Sequence, residues 1–152
     1  MTLEMKVIGM DKLKRGMTTA QATLRNRKKA NARAVTLMDR WVQLNFKTKG
    51  HNVGGWKPLA DSTKTPKRGG ESAVPLQDTG DLKRKWQHIA TDKTAILRSA
   101  VDYGLPHDQG GKNNRPPQRR ILPDEKEAFN IVKPAYQGLI KLAIKNFKKV
   151  VA

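Results

Sequence analysis

The pattern of apolar and polar positions gives the chain two helical ends and an irregular middle. From Lys12 to Lys47 there is no Pro and, after Gly16, no Gly, and helix formers dominate, which predicts a long helix over 12–47. In its second half Ala34, Leu37, Met38, Trp41 and Leu44 recur at three- and four-residue intervals and share one face. The first half is more polar, with Arg25, Arg27, Lys28 and Lys29 crowded together. So polar a helix is poorly stable alone, so it either projects as an arm or packs on a neighbouring subunit. Asn26 and Asn31 are the places where it could break. At the other end Asp124 and Glu125 supply the acidic first turn of a second helix, which Pro134 should kink or restart. There Leu139, Ile140, Leu142, Ala143, Ile144, Phe147 and Val150 form an apolar face, while Lys141, Lys145, Lys148 and Lys149 form the solvent side.

Between these ends the pattern shortens. Met5 to Met10 reads as an edge strand or a packed arm. Gly50 closes the first helix and opens a polar loop in which Trp56 and Leu59 are the only large apolar anchors. Trp56 either plugs that loop into its own core or fills a pocket on a partner. Ser62 to Ser72 reads as flexible. A short helix follows Asp78 and Thr79, either of which can cap it, and Trp86 falls on the same face as Leu82. Trp86 to Thr91 and Thr94 to Val101, joined by Asp92 and Lys93, read as a β-hairpin with Ile96, Leu97, Val101 and Tyr103 on a half-buried surface. Tyr103 to Leu122 reads as one long loop, because Pro106, Gly110, Gly111, Pro116 and Pro117 interrupt any helix or ladder. Such a loop is more often functional or ordered by a partner than idle. The expectation is a single α+β domain over 1–152: a long N-terminal helix, a small antiparallel sheet with long loops, and a C-terminal amphipathic helix.

Charge changes this picture most. The chain carries 31 Lys and Arg against 13 Asp and Glu, a formal charge of +18 over 152 residues. Such an excess points to an anionic partner, nucleic acid first and an acidic protein surface second, or else serves only as a solvated surface. It is concentrated in the first 49 residues, in the loop over 104–120 and in the C-terminal helix, whereas residues 69–107 are balanced. There is no Cys, which removes disulfides and thiolate metal sites, and no run approaching the ~20 apolar residues of a membrane span. No secretory signal is apparent, so a cytoplasmic protein is expected.

Catalytic patterns are missing. His51, His88 and His107 stand apart from one another and from other ligand types, so no metal-like spacing results. Gly54-Gly55 and Gly110-Gly111 are turn glycines, and no phosphate-binding or dinucleotide fingerprint surrounds them. Asp124, Glu125 and Glu127 are explained by a helix start. No enzyme, cofactor or metal is expected. A freestanding nucleic-acid-binding protein, docking through a basic helix over Arg25 to Arg33, is one reading of the charge. Its few aromatics form no stacking platform, and no recognition helix can be drawn. A membrane-surface role fits less well, because the apolar face of the C-terminal helix is needed for the core.

Four phrases, in order, carry a resemblance. They are G-x-W-x-P-L-x-x-x-T from Gly54 through Trp56, Pro58 and Leu59 to Thr63, then L-Q-D-T-G-D-L from Leu76 to Leu82. Next come Y-x-x-x-H-x-x-G at Tyr103, His107 and Gly110, and P-x-R-x-I-L at Pro117, Arg119, Ile121 and Leu122. Together they resemble the virion morphogenesis or tail completion proteins of Mu-like and related tailed phages, with departures at Pro106 and Asp108. The resemblance implies a small α+β virion protein, made in the host cytoplasm, that completes the tail or neck and helps join the tail to the DNA-filled head. It also implies a homo-oligomer, such as a hexameric ring around the DNA channel, contacting other neck, tail-tube or head-connector proteins and no membrane. On that reading Trp41, Trp56, Pro58, Leu59, His107, Pro117 and Tyr103 serve subunit or tail contacts. Lys112, Arg115, Arg119, Arg120, Arg25, Arg27, Lys28 and Lys29 meet DNA nonspecifically or an acidic surface. For Arg119 an ion pair that locks the loop is an equal alternative, and Tyr103 and Ile121 are also expected in the core.

Overall fold

The N-terminal helical stretch forms two helices. In a computed structural model that describes residues 9–64 and 73–152, α1 spans Met10–Arg25 and α2 spans Lys28–Lys47. Asn26 leaves helical dihedrals between them, with φ −82° and ψ 76°. Asn31 does not break the helix. It is buried inside α2, where its amide donates to the Thr91 carbonyl at 2.7 Å and its carbonyl oxygen accepts from the Tyr136 hydroxyl at 2.8 Å. One buried polar side chain thus joins α2 to the hairpin turn and to the C-terminal helix, with its polar capacity met on both sides.

The remaining elements are short until the last. Two single-turn helices, α3 at Asp61–Lys64 and α4 at Asp81–Arg84, precede a two-stranded antiparallel sheet of β1, Trp86–Ala90, and β2, Ala95–Ser99. Its register pairs Trp86 with Ser99 and Ala90 with Ala95. α5 covers Gly104–Gln109, inside the stretch expected to be loop throughout. Pro106 does not prevent it, because the first-turn N–H groups of a helix have no intrahelical acceptor to lose. α6 then runs from Glu125 to Val151, opened by an Asp124 capping box in which Asp124 and Glu127 satisfy each other's backbone N–H groups. The helix passes through Pro134 without restarting. Asn130 and Pro134 are both exposed, so the carbonyl that Pro134 cannot serve faces water. The expected strand or arm at Met5 to Met10 and the flexible Ser62 to Ser72 lie largely outside the described residues; Met10 opens α1, and Ser62 to Lys64 belong to α3.

The α+β architecture is organised by α2, which packs on β1, β2 and α6. Val42, Phe46, Trp56, Leu82 and Ile121 form the buried core, with Trp41, Val53, Leu76, Trp86, Leu97 and Val101 packed around it. Trp41 and Trp56, assigned above to contacts between subunits, are therefore used inside the chain. Trp56 meets Phe46 edge to face at a centroid distance of 5.2 Å, and its indole N–H donates to the Arg120 carbonyl at 2.9 Å. Gly50, at φ +80°, is needed beside it, because a Cβ there would overlap the indole ring.

The polar α1 does not stand free. It lies against α6, where a Cβ on Gly16 would collide with Val151 and Phe147, and where the Asn146 amide donates to the Thr23 hydroxyl at 3.1 Å. Close approach at Gly16 lets a helix with few apolar residues bury a usable seam within its own chain. Replacing Asn31 with Ala is expected to destabilise the protein by about 2–3 kcal/mol in urea unfolding, since it leaves the Thr91 carbonyl and Tyr136 hydroxyl without their partner. Trp56→Ala should cost about 3–5 kcal/mol, measured the same way.

Candidate functional site

The four sequence phrases, spread over residues 54–122, meet around one cleft. Its volume is about 920 Å³, and Pro58, Leu59, Thr63, Leu76, Asp78 to Asp81, Tyr103, His107, Pro117 and Arg119 are among the residues that line it. Each phrase reaches the cleft through a specific local constraint. The Trp56 N–H donates to the Lys49 carbonyl at 2.9 Å, which with the buried indole fixes where Lys57 and Pro58 leave the core. The Gln77 amide donates to the Phe46 carbonyl at 2.9 Å and ties the second phrase to the end of α2. Ahead of α4 the Asp81 N–H donates to the Thr79 hydroxyl at 3.3 Å, while Gly80 occupies the N-cap at φ +78°.

Arg119 holds two of these segments together. It is only 5% exposed, and its guanidinium donates to the Lys57 carbonyl at 2.9 Å and the Pro58 carbonyl at 3.0 Å. Its own N–H donates to the His107 carbonyl at 2.7 Å, so the third and fourth phrases are joined at the same residue. Burial lowers its pKa from the ordinary arginine value, yet an arginine stays charged over any working pH. Arg119 is thus a buried clamp on backbone carbonyls. It is neither the DNA contact nor the ion pair expected above, because two carbonyl oxygens within reach satisfy the fork without a carboxylate.

Asp108, one of the two departures in the third phrase, explains itself in the same place. Its Oδ1 accepts from Ile121 N–H at 2.6 Å and Leu122 N–H at 2.9 Å, bonds that a carboxylate makes well. Ile121 is 2% exposed and belongs to the core as expected. Tyr103 does not. It is 48% exposed at the rim, because the chain leaves the sheet at Ser99 and enters α5 directly after it. Leu59, His107 and Pro117 are half-buried and Pro58 is exposed along the walls.

The basic residues separate into two groups. Lys112 and Arg115 are exposed on the turn beyond α5, where Gly111 is required because the Arg115 carbonyl occupies the place of any Cβ. Arg25, Lys28 and Lys29 are exposed at the α1–α2 junction, and Arg27 donates there to the Asp92 carbonyl at 3.1 Å. Arg120 belongs to neither group. Its guanidinium meets Glu127 at 2.7 Å and Asp124 at 3.4 Å, so carboxylates at the start of α6 already neutralise it. Among the described residues no group of three or more His, Asp or Glu is placed to hold a metal ion, and no helix is long and apolar enough to cross a membrane. Comparison with protein-family models, curated proteins and solved structures yields no match to this chain.

The sequence missed the roles of Asp108 and Arg119 because they depend on backbone groups 13 and 14 residues on and 62 and 61 residues back in the chain, respectively. Arg119→Ala is expected to lower unfolding stability by about 2–3 kcal/mol through loss of two charge-assisted hydrogen bonds. By contrast, Lys112→Glu and Arg115→Glu should leave the urea midpoint nearly unchanged, since exposed substitutions are usually worth within about 0.5 kcal/mol.

Proposed function

We propose that this chain is a structural component of a tailed-phage particle that completes the tail or neck and helps join the tail to the DNA-filled head. The observation that carries the reading is the meeting of the four resembling phrases around a single cleft braced by Arg119. Motifs kept for separate local turns would have no reason to share one wall. On this reading the cleft rim of Pro58, Leu59, Tyr103, His107 and Pro117 takes a neighbouring subunit or another neck, tail-tube or head-connector protein. Six copies form a ring about the DNA channel, with host cytoplasm as the place of synthesis and the virion as the destination.

The two exposed basic groups supply nonspecific phosphate contacts to DNA in the channel. Lys112 and Arg115 serve from the turn, and Arg25, Lys28 and Lys29 serve from the helix junction. No base readout is required, and no catalysis is assigned. A freestanding nucleic-acid binder is the second reading, favoured by the crowding of Arg25, Lys28 and Lys29 at one exposed junction. The two differ in what loss of the chain does. Disrupting its reading frame in the genome that encodes it is expected to leave DNA-filled heads and separate tails, visible by electron microscopy, with joining restored by the intact chain in trans. Normal tailed particles from the disrupted genome, together with tight salt-sensitive duplex binding by the purified protein, would remove the structural reading and leave the second.

A further inference from the structure

Among the described residues, one flank of the α1/α6 pair is apolar and uncovered. The two helices run antiparallel, with Gly16 against Phe147 and Val151 and Thr23 against Asn146. Successive helical residues turn by roughly 100°. Met17 and Leu24 therefore sit a quarter-turn beyond the contact residues Gly16 and Thr23, and on α6 Ile140 and Ile144, seven residues before Phe147 and Val151, lie at their edge of the contact face, on the side away from Asn146. In an antiparallel pair of right-handed helices, the flank reached by adding one residue lies on the same side of both. These four side chains consequently form one stripe, exposed at 60%, 43%, 51% and 50% respectively, which Leu13 and Met10 prolong at 42% and 45%. A contiguous run of large apolar side chains bordered by polar ones marks an interaction surface, unlike the scattered exposed apolar residues of any protein.

The border is mostly basic. Lys14 on α1 and Lys141 and Lys148 on α6 lie next outward from the stripe and are exposed. Asp11, a quarter-turn outward of Met10, is the one acid of the two helices on this border, at the end of the stripe, while Glu125 and Glu127 are at the opposite end of α6. A second copy laid on this flank would set the three lysines against their equivalents in a chain of net charge +18, a repulsive arrangement in a desolvated rim. We propose that the flank docks an amphipathic helix from a partner protein, whose apolar stripe is bordered by Asp and Glu. The helix lies lengthwise on the pair as a third member, its apolar side chains between those of Met17, Leu24, Ile140 and Ile144 and its carboxylates on the lysines. This does not rest on the phage reading and stands or falls apart from it.

The test uses the intact chain and two synthetic helices of about 20 residues, long enough to hold helical structure in water. Both carry the same Leu stripe, one flanked by Glu and one by Lys, and binding is followed by fluorescence anisotropy of the labelled peptide. The Glu-flanked peptide should bind, more weakly as salt is raised, and the Lys-flanked peptide should not. Met17→Glu, at a position too exposed to disturb folding, should weaken the Glu-flanked complex about tenfold or more while leaving the circular dichroism unchanged. Lys141→Glu combined with Lys148→Glu should reverse the preference between the peptides. No binding, or equal binding of both peptides, overturns the proposal. It is equally overturned by a concentration-dependent dimer that Met17→Glu abolishes, which makes a second copy the occupant. Binding to vesicles of anionic phospholipid that Met17→Glu abolishes, without binding to the Glu-flanked peptide, makes a lipid surface the occupant and overturns it too.

Discussion

A single carbonyl oxygen, that of Arg120, carries the fold's most consequential constraint. It accepts from the Trp56 indole at 2.9 Å and from the Asn45 amide at 3.0 Å, and the fully buried Asn45 reaches the Ile121 carbonyl at 3.3 Å as well. Two donors 75 and 64 residues earlier in the chain thus hold the turn that follows the long central segment. A backbone group buried in this way must be paired, so the turn, the Trp56 loop and the end of α2 can only be assembled together. Arg119, Ile121 and Asp108 are positioned by the same turn. The clamp on the Lys57 and Pro58 carbonyls, the core side of Ile121 and the carboxylate contact to Ile121 and Leu122 all follow from where that turn is placed.

This construction divides the molecule into a braced end and a thinner helical end. At the braced end, Arg119 and Arg120 meet carbonyls or carboxylates and spend their charge on internal geometry, while Lys112 and Arg115 stay exposed. The α1/α6 pair has no comparable polar lock beyond the Asn146–Thr23 bond and relies on close approach at Gly16. It also carries most of its basic side chains into solvent. The excess positive charge therefore resides where few internal groups use it, which is the arrangement expected of a surface that meets an anionic partner.

What could be read from the sequence follows the distance over which each interaction acts. The hairpin, the start of α6 at Asp124 and the break near Asn26 depend on residues close by, and their patterns predict them. The α+β class follows from those elements. Pro106 misled because its helix is a single short one in which a first-turn proline loses nothing. Asn31 looked like a break because its side chain competes for backbone groups in isolation, whereas in the fold Thr91 and Tyr136 occupy it. The cleft residues were legible as phrases, but their meeting was not, since it is made by contacts such as Arg119 to Lys57 that no local pattern encodes. Tyr103 was placed in the core on residue type alone, and the immediate turn into α5 exposes it.

The central claim is that the chain is a part of the finished particle. It is tested most directly by counting its copies in purified particles of the genome that encodes it, using isotope-labelled peptides of this chain as internal standards for mass spectrometry. The account predicts a small fixed number of copies per particle, about six for a single ring, retained through density-gradient purification. Absence from particles that are intact and tailed would contradict it.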